Sequence, residues 1–205
     1  YFLAWTTTPW TLPSNVALCV NPEETYCKVK AADGYTYYMA KALLDTVLGQ
    51  LGDKENGVEA YEILETYKGT DLEYREYEPL FDYVKPICDK QNKKGFFITA
   101  DNYVTMTDGT GIVHIAPAFG ADDDRVAKQS GIPPLQMIDK DGKAQPMVDK
   151  TGKFFLIEDL DAEFVKNCMD VEAYRPYAGQ YVKNAFDATK TEKDKSLDVD
   201  IVVLL

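Results

Sequence analysis

The sequence predicts a β-rich α+β domain, barrel-like, with helices on its outside. Three observations carry that expectation. Short runs of apolar, aromatic and β-branched residues recur along the chain, divided by Gly, Pro, Asn and Asp. The pair Asp33-Gly34 joins two such runs, which is a hairpin signal. Only two stretches, 41–51 and 158–170, place apolar residues at clear helical spacing.

Taken in order, Tyr1 to Thr8 is aromatic and β-branched and reads as a strand. Pro9, Pro13 and Asn15 make the next segment a structured turn. Val16 to Val20 is a strand of buried type, and Tyr26 to Ala31 pairs with Tyr35 to Met39 across Asp33-Gly34. Leu43, Leu44, Val47, Leu48 and Leu51 put a helix over 41–51. Val58 to Tyr67 is a further strand, and Thr70 to Glu73 a single helical turn. Gly95 to Ala100, Tyr103 to Met106 and Leu135 to Ile138 are expected strands. Asp139 to Gly142 and Asp149 to Gly152 are two turns of the same kind. Leu160, Phe164, Val165 and Cys168 lie on one side of the helix predicted over 158–170.

Composition narrows the function classes. The 205 residues suit one domain with a smaller lobe, and 45% hydrophobic content can supply its core. No apolar run approaches a membrane span, and no basic segment opens the chain as a secretory signal would. The net charge of −12 argues against broad phosphate-driven binding of nucleic acid by this chain alone. It leaves room for local contact with a nucleic-acid end. Cys19, Cys27, Cys88 and Cys168 are widely spaced and read as reduced thiols, so a cytoplasmic setting is expected. The chain opens at Tyr1 inside an apolar run and reads as a piece of a longer polypeptide.

The chemistry concentrates in Gly109 to Val126, GTGIVHIAPAFGADDDRV. A Gly-Thr-Gly turn leads into a short strand bearing His114, the one histidine of the chain. Pro117 ends that strand, because proline lacks the ladder donor. Gly120 permits a turn into Asp122, Asp123 and Asp124, and a helical run continues to Ser130 before Gly131 and Pro133. Three acids at a helix start are most simply a cap and a favourable dipole interaction, with one left to face a cleft. The Gly-Thr-Gly lacks the Lys-Ser/Thr of a phosphate loop, and DKDG lacks the remainder of a calcium loop. One histidine and scattered cysteines make no zinc pattern, and no serine sits in a nucleophile elbow. A hydrolase built here would activate water with neither a metal nor a covalent intermediate, and no cofactor is expected.

Two blocks together change this picture. TTTPWTLPSN from Thr6 and GTGIVHIAPAFGADD, roughly a hundred residues later, closely resemble the signature blocks of the editing domain of the isoleucyl-tRNA synthetase family, the connective insertion of a class I synthetase. The stretches EYEPLF and DNYVTMTDGTG are similar to that family as well. Valyl and leucyl relatives share the Thr-rich block but typically carry Arg-Pro where this chain has Thr8-Pro9. The resemblance spans residues 1–186, with 187–205 as a segment leading back toward the catalytic core. The signatures of amino-acid activation, His-Ile-Gly-His and Lys-Met-Ser-Lys-Ser, are missing from this chain.

The resemblance implies proofreading hydrolysis of valine from isoleucine tRNA, with valyl-adenylate as a second substrate. Its partners would be the valine-carrying 3′ acceptor end of that tRNA and the remainder of the synthetase, with no membrane. The family's ammonium-anchoring aspartate, nine residues after the motif histidine, falls on Asp123. His114 falls on the histidine lining the amino-acid pocket. Thr6, Thr7, Thr8 and Thr11 correspond to the block framing the terminal adenosine and the hydrolytic water, and Asn15 to the asparagine of that block. Trp10 falls equally on a pocket wall or an ordinary core position. Asp122 and Asp124 are left to the cap and the surface. Two other readings stay open: an editing domain for another amino acid, such as the threonine-removing valyl type, and a module that holds the tRNA 3′ end without hydrolysing it.

Overall fold

Phe97–Ala100, Ala17–Val20 and Ile112–Ile115 lie side by side in one three-stranded sheet, in a computed structural model that describes residues 1–6, 8–53, 55–84, 94–149 and 151–181. Numbered along the chain, the strands are β1 (Ala17–Val20), β2 (Thr25–Ala31), β3 (Thr36–Ala40), β4 (Tyr61–Lys68), β5 (Phe97–Ala100) and β6 (Ile112–Ile115). The first sheet has the order β5-β1-β6, with β1 parallel to β5 and antiparallel to β6. The second, β3-β2-β4, is wholly antiparallel and grows from the Asp33-Gly34 hairpin, where Gly34 takes φ +91°. Such a φ suits glycine, which has no Cβ to clash. The β-rich α+β expectation holds, in the form of separate sheets with no closed barrel among the described residues.

Contacts divide the chain into two units. The first comprises Tyr1–Thr7, Ala17–Tyr77 and Phe96–Ile115. Its core joins Leu18, Val20 and Ile112 of one sheet to Tyr26, Val29 and Met39 of the other, with Leu44 and Leu48 of α1 (Leu44–Leu48). Tyr26 is fully buried there, and its hydroxyl donates to the Gly111 carbonyl at 2.7 Å while accepting from the Asn21 N–H at 2.8 Å. A buried phenol thus keeps both hydrogen-bonding roles filled. α2 (Gly69–Leu72) supplies the single helical turn expected after β4.

The second unit comprises Thr8–Val16, Glu78–Gly95 and Ala116–Leu205. It holds α3 (Ala121–Gln129), the two-residue strands β7 (Met137–Ile138) and β8 (Ala144–Gln145), α4 (Ala162–Cys168) and α5 (Val171–Tyr174). Aromatic rings fill part of its interior: Tyr83 lies 5.4 Å from Tyr174 and 5.1 Å from Tyr177 between ring centroids. Among the described residues no helix is long and apolar enough to cross a membrane. Cys19, Cys27 and Cys168 are buried thiols outside any disulfide among the described residues; Cys88 and residues 187–205 lie outside the described residues.

Several elements differ from expectation, and the helix predicted over 41–51 is α-helical only over Leu44–Leu48, between the 3-10 turns Lys41–Leu43 and Gly49–Leu51. Among the described residues of 1–8 there is no strand: Phe2 bridges Tyr38, Trp5 bridges Val113, and Pro9 follows too soon for a longer ladder. Tyr103 to Met106 is not a strand either. The Asp101 carboxylate accepts from the Tyr103 N–H at 2.9 Å and so holds a turn there. The helix predicted over 158–170 splits into a 3-10 turn, Ile157–Asp159, and α4, because Asp161 caps α4 by accepting from the Phe164 N–H at 2.8 Å.

Candidate functional site

The Thr-rich block becomes a 3-10 helix, Pro9–Ser14, with Thr8 as its N-cap and Pro9 in its first turn. Proline suits that position, where its missing N–H would find no partner within the helix. The Thr8 carbonyl accepts twice from Thr11, from the N–H at 3.0 Å and from the hydroxyl at 2.8 Å. The two hydroxyl oxygens are 3.3 Å apart. Thr11 is buried, whereas Thr8 and Asn15 are partly exposed. The Asn15 N–H closes the turn on the Leu12 carbonyl at 3.0 Å. Thr7 and the side chain of Trp10 lie outside the described residues.

Thr6 is partly exposed and follows Trp5, whose N–H donates to the Ile112 carbonyl at 2.9 Å. The Trp5 side chain crosses directly over Gly109: a Cβ built there would meet Trp5 Cγ at 2.4 Å. Gly109 also takes φ +71°, so glycine is required both for room and for backbone. The turn opening the second block is therefore clamped to the segment bearing Thr6.

His114 sits opposite Leu18 across the β1–β6 ladder, and it alternates with Val113 to share a face with Ile112. That is the face on which Leu18 and Ile112 enter the core. The imidazole is 6% exposed, and burial pushes its pKa down to about 4. At neutral pH it is an uncharged ring whose bulk, not its charge, is available to a neighbour.

The three acids of α3 take different environments. Gly120 is the N-cap, without a side-chain cap bond, so the expected capping carboxylate is not found; the acids occupy the first turn instead. There they favour the positive end of the helix dipole. Asp122 lies 3.5 Å from Arg125 and Asp124 2.5 Å from Lys128. Asp123, like Asp124, is only partly exposed. Its Oδ2 accepts from the Ala116 N–H at 3.0 Å. Burial raises its pKa above the ordinary aspartate value; the Ala116 bond opposes the rise, and the Asp122 charge adds to it. Ala116 and Gly120 were missed as site residues in the sequence. The adjacency of Gly120 to the acid run was the only available signal.

The structure thus brings together Thr8 with Thr11, and Asp123 with Ala116 and Gly120, in the second unit. Thr6 and His114 belong to the first.

No protein-family model matches the chain. It is 48% identical over 219 residues to isoleucine–tRNA ligase of Porphyromonas gingivalis, covering 100% of this chain and 19% of that protein. This chain belongs to the isoleucine–tRNA ligase family. It is also 42% identical over 184 residues to the cytoplasmic isoleucine–tRNA ligase of Mus musculus, covering 89% of this chain and 12% of that one. Among solved structures it resembles the crystal structure of GlLeuRS-CP1, with a TM-score of 0.56, 18% identity, and coverage of 99% of this chain and 80% of that one. Its fold is that of GlLeuRS-CP1. The chain spans about a fifth of the length of the curated relatives it matches.

Proposed function

We propose that this chain is the proofreading part of an isoleucine–tRNA ligase and hydrolyses the ester that joins valine to the 3′ end of isoleucine tRNA. The observation that carries the reading is Asp123. Its carboxylate is half-buried and accepts from a backbone N–H, whereas Asp122 and Asp124 pair with Arg125 and Lys128 of the same helix. A carboxylate so placed suits the α-ammonium of an aminoacyl ester, since a charge-assisted bond is short and strong.

In this reading Asp123 fixes the amino acid, and the hydroxyls of Thr6, Thr7, Thr8 and Thr11 position water and stabilise the developing oxyanion. Asn15 and Trp10 belong to the same block. His114, uncharged at neutral pH, acts through its volume, and a ribose hydroxyl beside the ester carries the proton. The need for such a site is general: a pocket that must distinguish side chains differing by one methylene achieves only ~10–200-fold on its own. A second, smaller pocket that admits valine and excludes isoleucine supplies the rest. Valyl-adenylate fits the same pocket chemistry.

The test is deacylation by the full-length ligase. Val-tRNA for isoleucine should be hydrolysed, correctly charged Ile-tRNA spared, and the activity lost in Asp123→Ala. Equal hydrolysis of both esters, or full activity in Asp123→Ala, overturns the reading.

A further inference from the structure

We infer that Gly120 is a positioning residue, whose missing side chain makes the space in which the Asp123 carboxylate meets the Ala116 N–H. The inference rests on reading Asp123 as the ammonium anchor. Gly120 has φ −129° and ψ 137°, ordinary extended angles that any residue adopts. Its backbone therefore gives no reason for glycine. The reason lies across the turn: a Cβ at Gly120 would come within 2.9 Å of Asp123 Cγ and 3.0 Å of Oδ2. Real Cβ contacts do not reach such distances, so something must move.

What moves is settled by what is fixed. Gly120 is the N-cap of α3, and its carbonyl accepts from the Asp124 N–H at 2.9 Å. Ala116 is fixed by a turn in which its carbonyl accepts from the Phe119 N–H at 2.9 Å. The carboxylate of Asp123 ends a short side chain with two torsions and yields first. Gly120→Ala should therefore fold, with the carboxylate displaced from the Ala116 N–H. Losing that bond removes the one interaction that opposes the burial-driven rise in its pKa.

Two measurements test this. In this chain, the Ala116 amide proton should shift with pH as Asp123 titrates, and in Gly120→Ala that pH-dependent shift should shrink by at least half. In the full-length ligase, Gly120→Ala should lower kcat/KM for Val-tRNA at least tenfold, mainly through KM, and move the acid limb of the profile to higher pH. Gly49→Ala is the control: Gly49 has open space around its Cβ position, and the change should leave kcat/KM within twofold. A purely structural glycine would lower the melting temperature and leave the Ala116 titration intact, which overturns the inference. If the wild-type ligase hydrolyses no Val-tRNA, the proposed function fails while the amide titration still decides the role of Gly120. If Asp123→Ala is inactive but Gly120→Ala is normal in both measurements, the positioning role fails and the function stands.

Discussion

In the turn that opens at Asp149, one carboxylate oxygen accepts from the Thr151 N–H at 2.7 Å, the Thr151 hydroxyl at 2.7 Å and the Lys153 N–H at 3.1 Å. At the start of α3, Asp123 accepts a single backbone bond, from Ala116. Partial burial acts to raise both pKa values. At Asp149 the bonds from Thr151 and Lys153 outweigh it and the net shift is downward; at Asp123 burial wins and the shift is upward. Asp139 repeats the Asp149 pattern, its pKa lowered by the Gln145 side chain and then by the Lys143 N–H. The difference separates carboxylates held by several turn bonds from one held by a single backbone N–H and partly desolvated. It also sets opposite signs for stability. An ionised Asp149 favours the fold, whereas an ionised Asp123 opposes it.

The largest effect expected from that contrast is at Asp123. Asp123→Asn keeps an acceptor for the Ala116 N–H and removes the charge. If the charge anchors the substrate ammonium, kcat/KM for Val-tRNA should fall roughly a hundredfold, the value of a bond between charged groups of ~3 kcal/mol. Because the folded pKa of Asp123 is raised, its unfavourable contribution is present above the folded pKa and absent below the unfolded one. The melting temperature of Asp123→Asn at neutral pH should therefore equal or exceed that of the unchanged chain. A variant that is inactive because it is unfolded would erase the contrast with Asp149.

His114 sharpens it from the other side, as a titratable group kept uncharged. If His114 lines the amino-acid pocket, His114→Ala should open it to isoleucine and raise Ile-tRNA hydrolysis by about ten- to a hundredfold, the ~1–3 kcal/mol cost of overpacking. Val-tRNA hydrolysis should survive and show no titration near the ordinary histidine pKa of about 6.5. The folded pKa of about 4 gives a second readout. A lowered histidine pKa contributes stability that is full above 6.5 and is lost as pH falls toward 4, on the order of 3 kcal/mol. Comparing urea unfolding of the unchanged chain with His114→Gln across that window should show the difference closing. Loss of Val-tRNA hydrolysis with Ile-tRNA still spared would make His114 an orienting group instead.

The sequence showed local features better than through-space ones. Asp33-Gly34 was enough to place β2 and β3, because a two-strand hairpin is decided by its turn. Asp161 carried a readable capping signal, with Phe164 three residues on, yet the apolar spacing around Leu160 hid the break before α4. The Thr6-Thr7-Thr8 run invited an alternation of faces, as in a strand; instead Thr8 begins a 3-10 helix and bonds to Thr11. The count from His114 picked Asp123 through family resemblance, while the ion pairs of Asp122 with Arg125 and of Asp124 with Lys128 follow from helical spacing. The Ala116 N–H and the space above Gly120 were beyond reach, since neither is visible until the turn is folded.

The smallest effect expected concerns Asp149, and it tests whether the contrast is physical or only positional. Asp149→Ala removes three accepted bonds from a turn that also closes through the Gly152 N–H on the Asp149 carbonyl at 3.0 Å. The site is partly open to water, so solvent replaces some of what is lost, and the cost should be about 1 kcal/mol. Since the folded pKa is lowered, that contribution is present above the unfolded value of about 3.9 and disappears as pH falls through the folded one. Urea midpoints of the unchanged chain and Asp149→Ala should therefore differ at pH 7 and converge at pH ~2. Val-tRNA hydrolysis should stay within twofold throughout. A hydrolytic loss at Asp149 as large as that at Asp123 would show that the direction of a carboxylate's pKa does not mark its role in this fold.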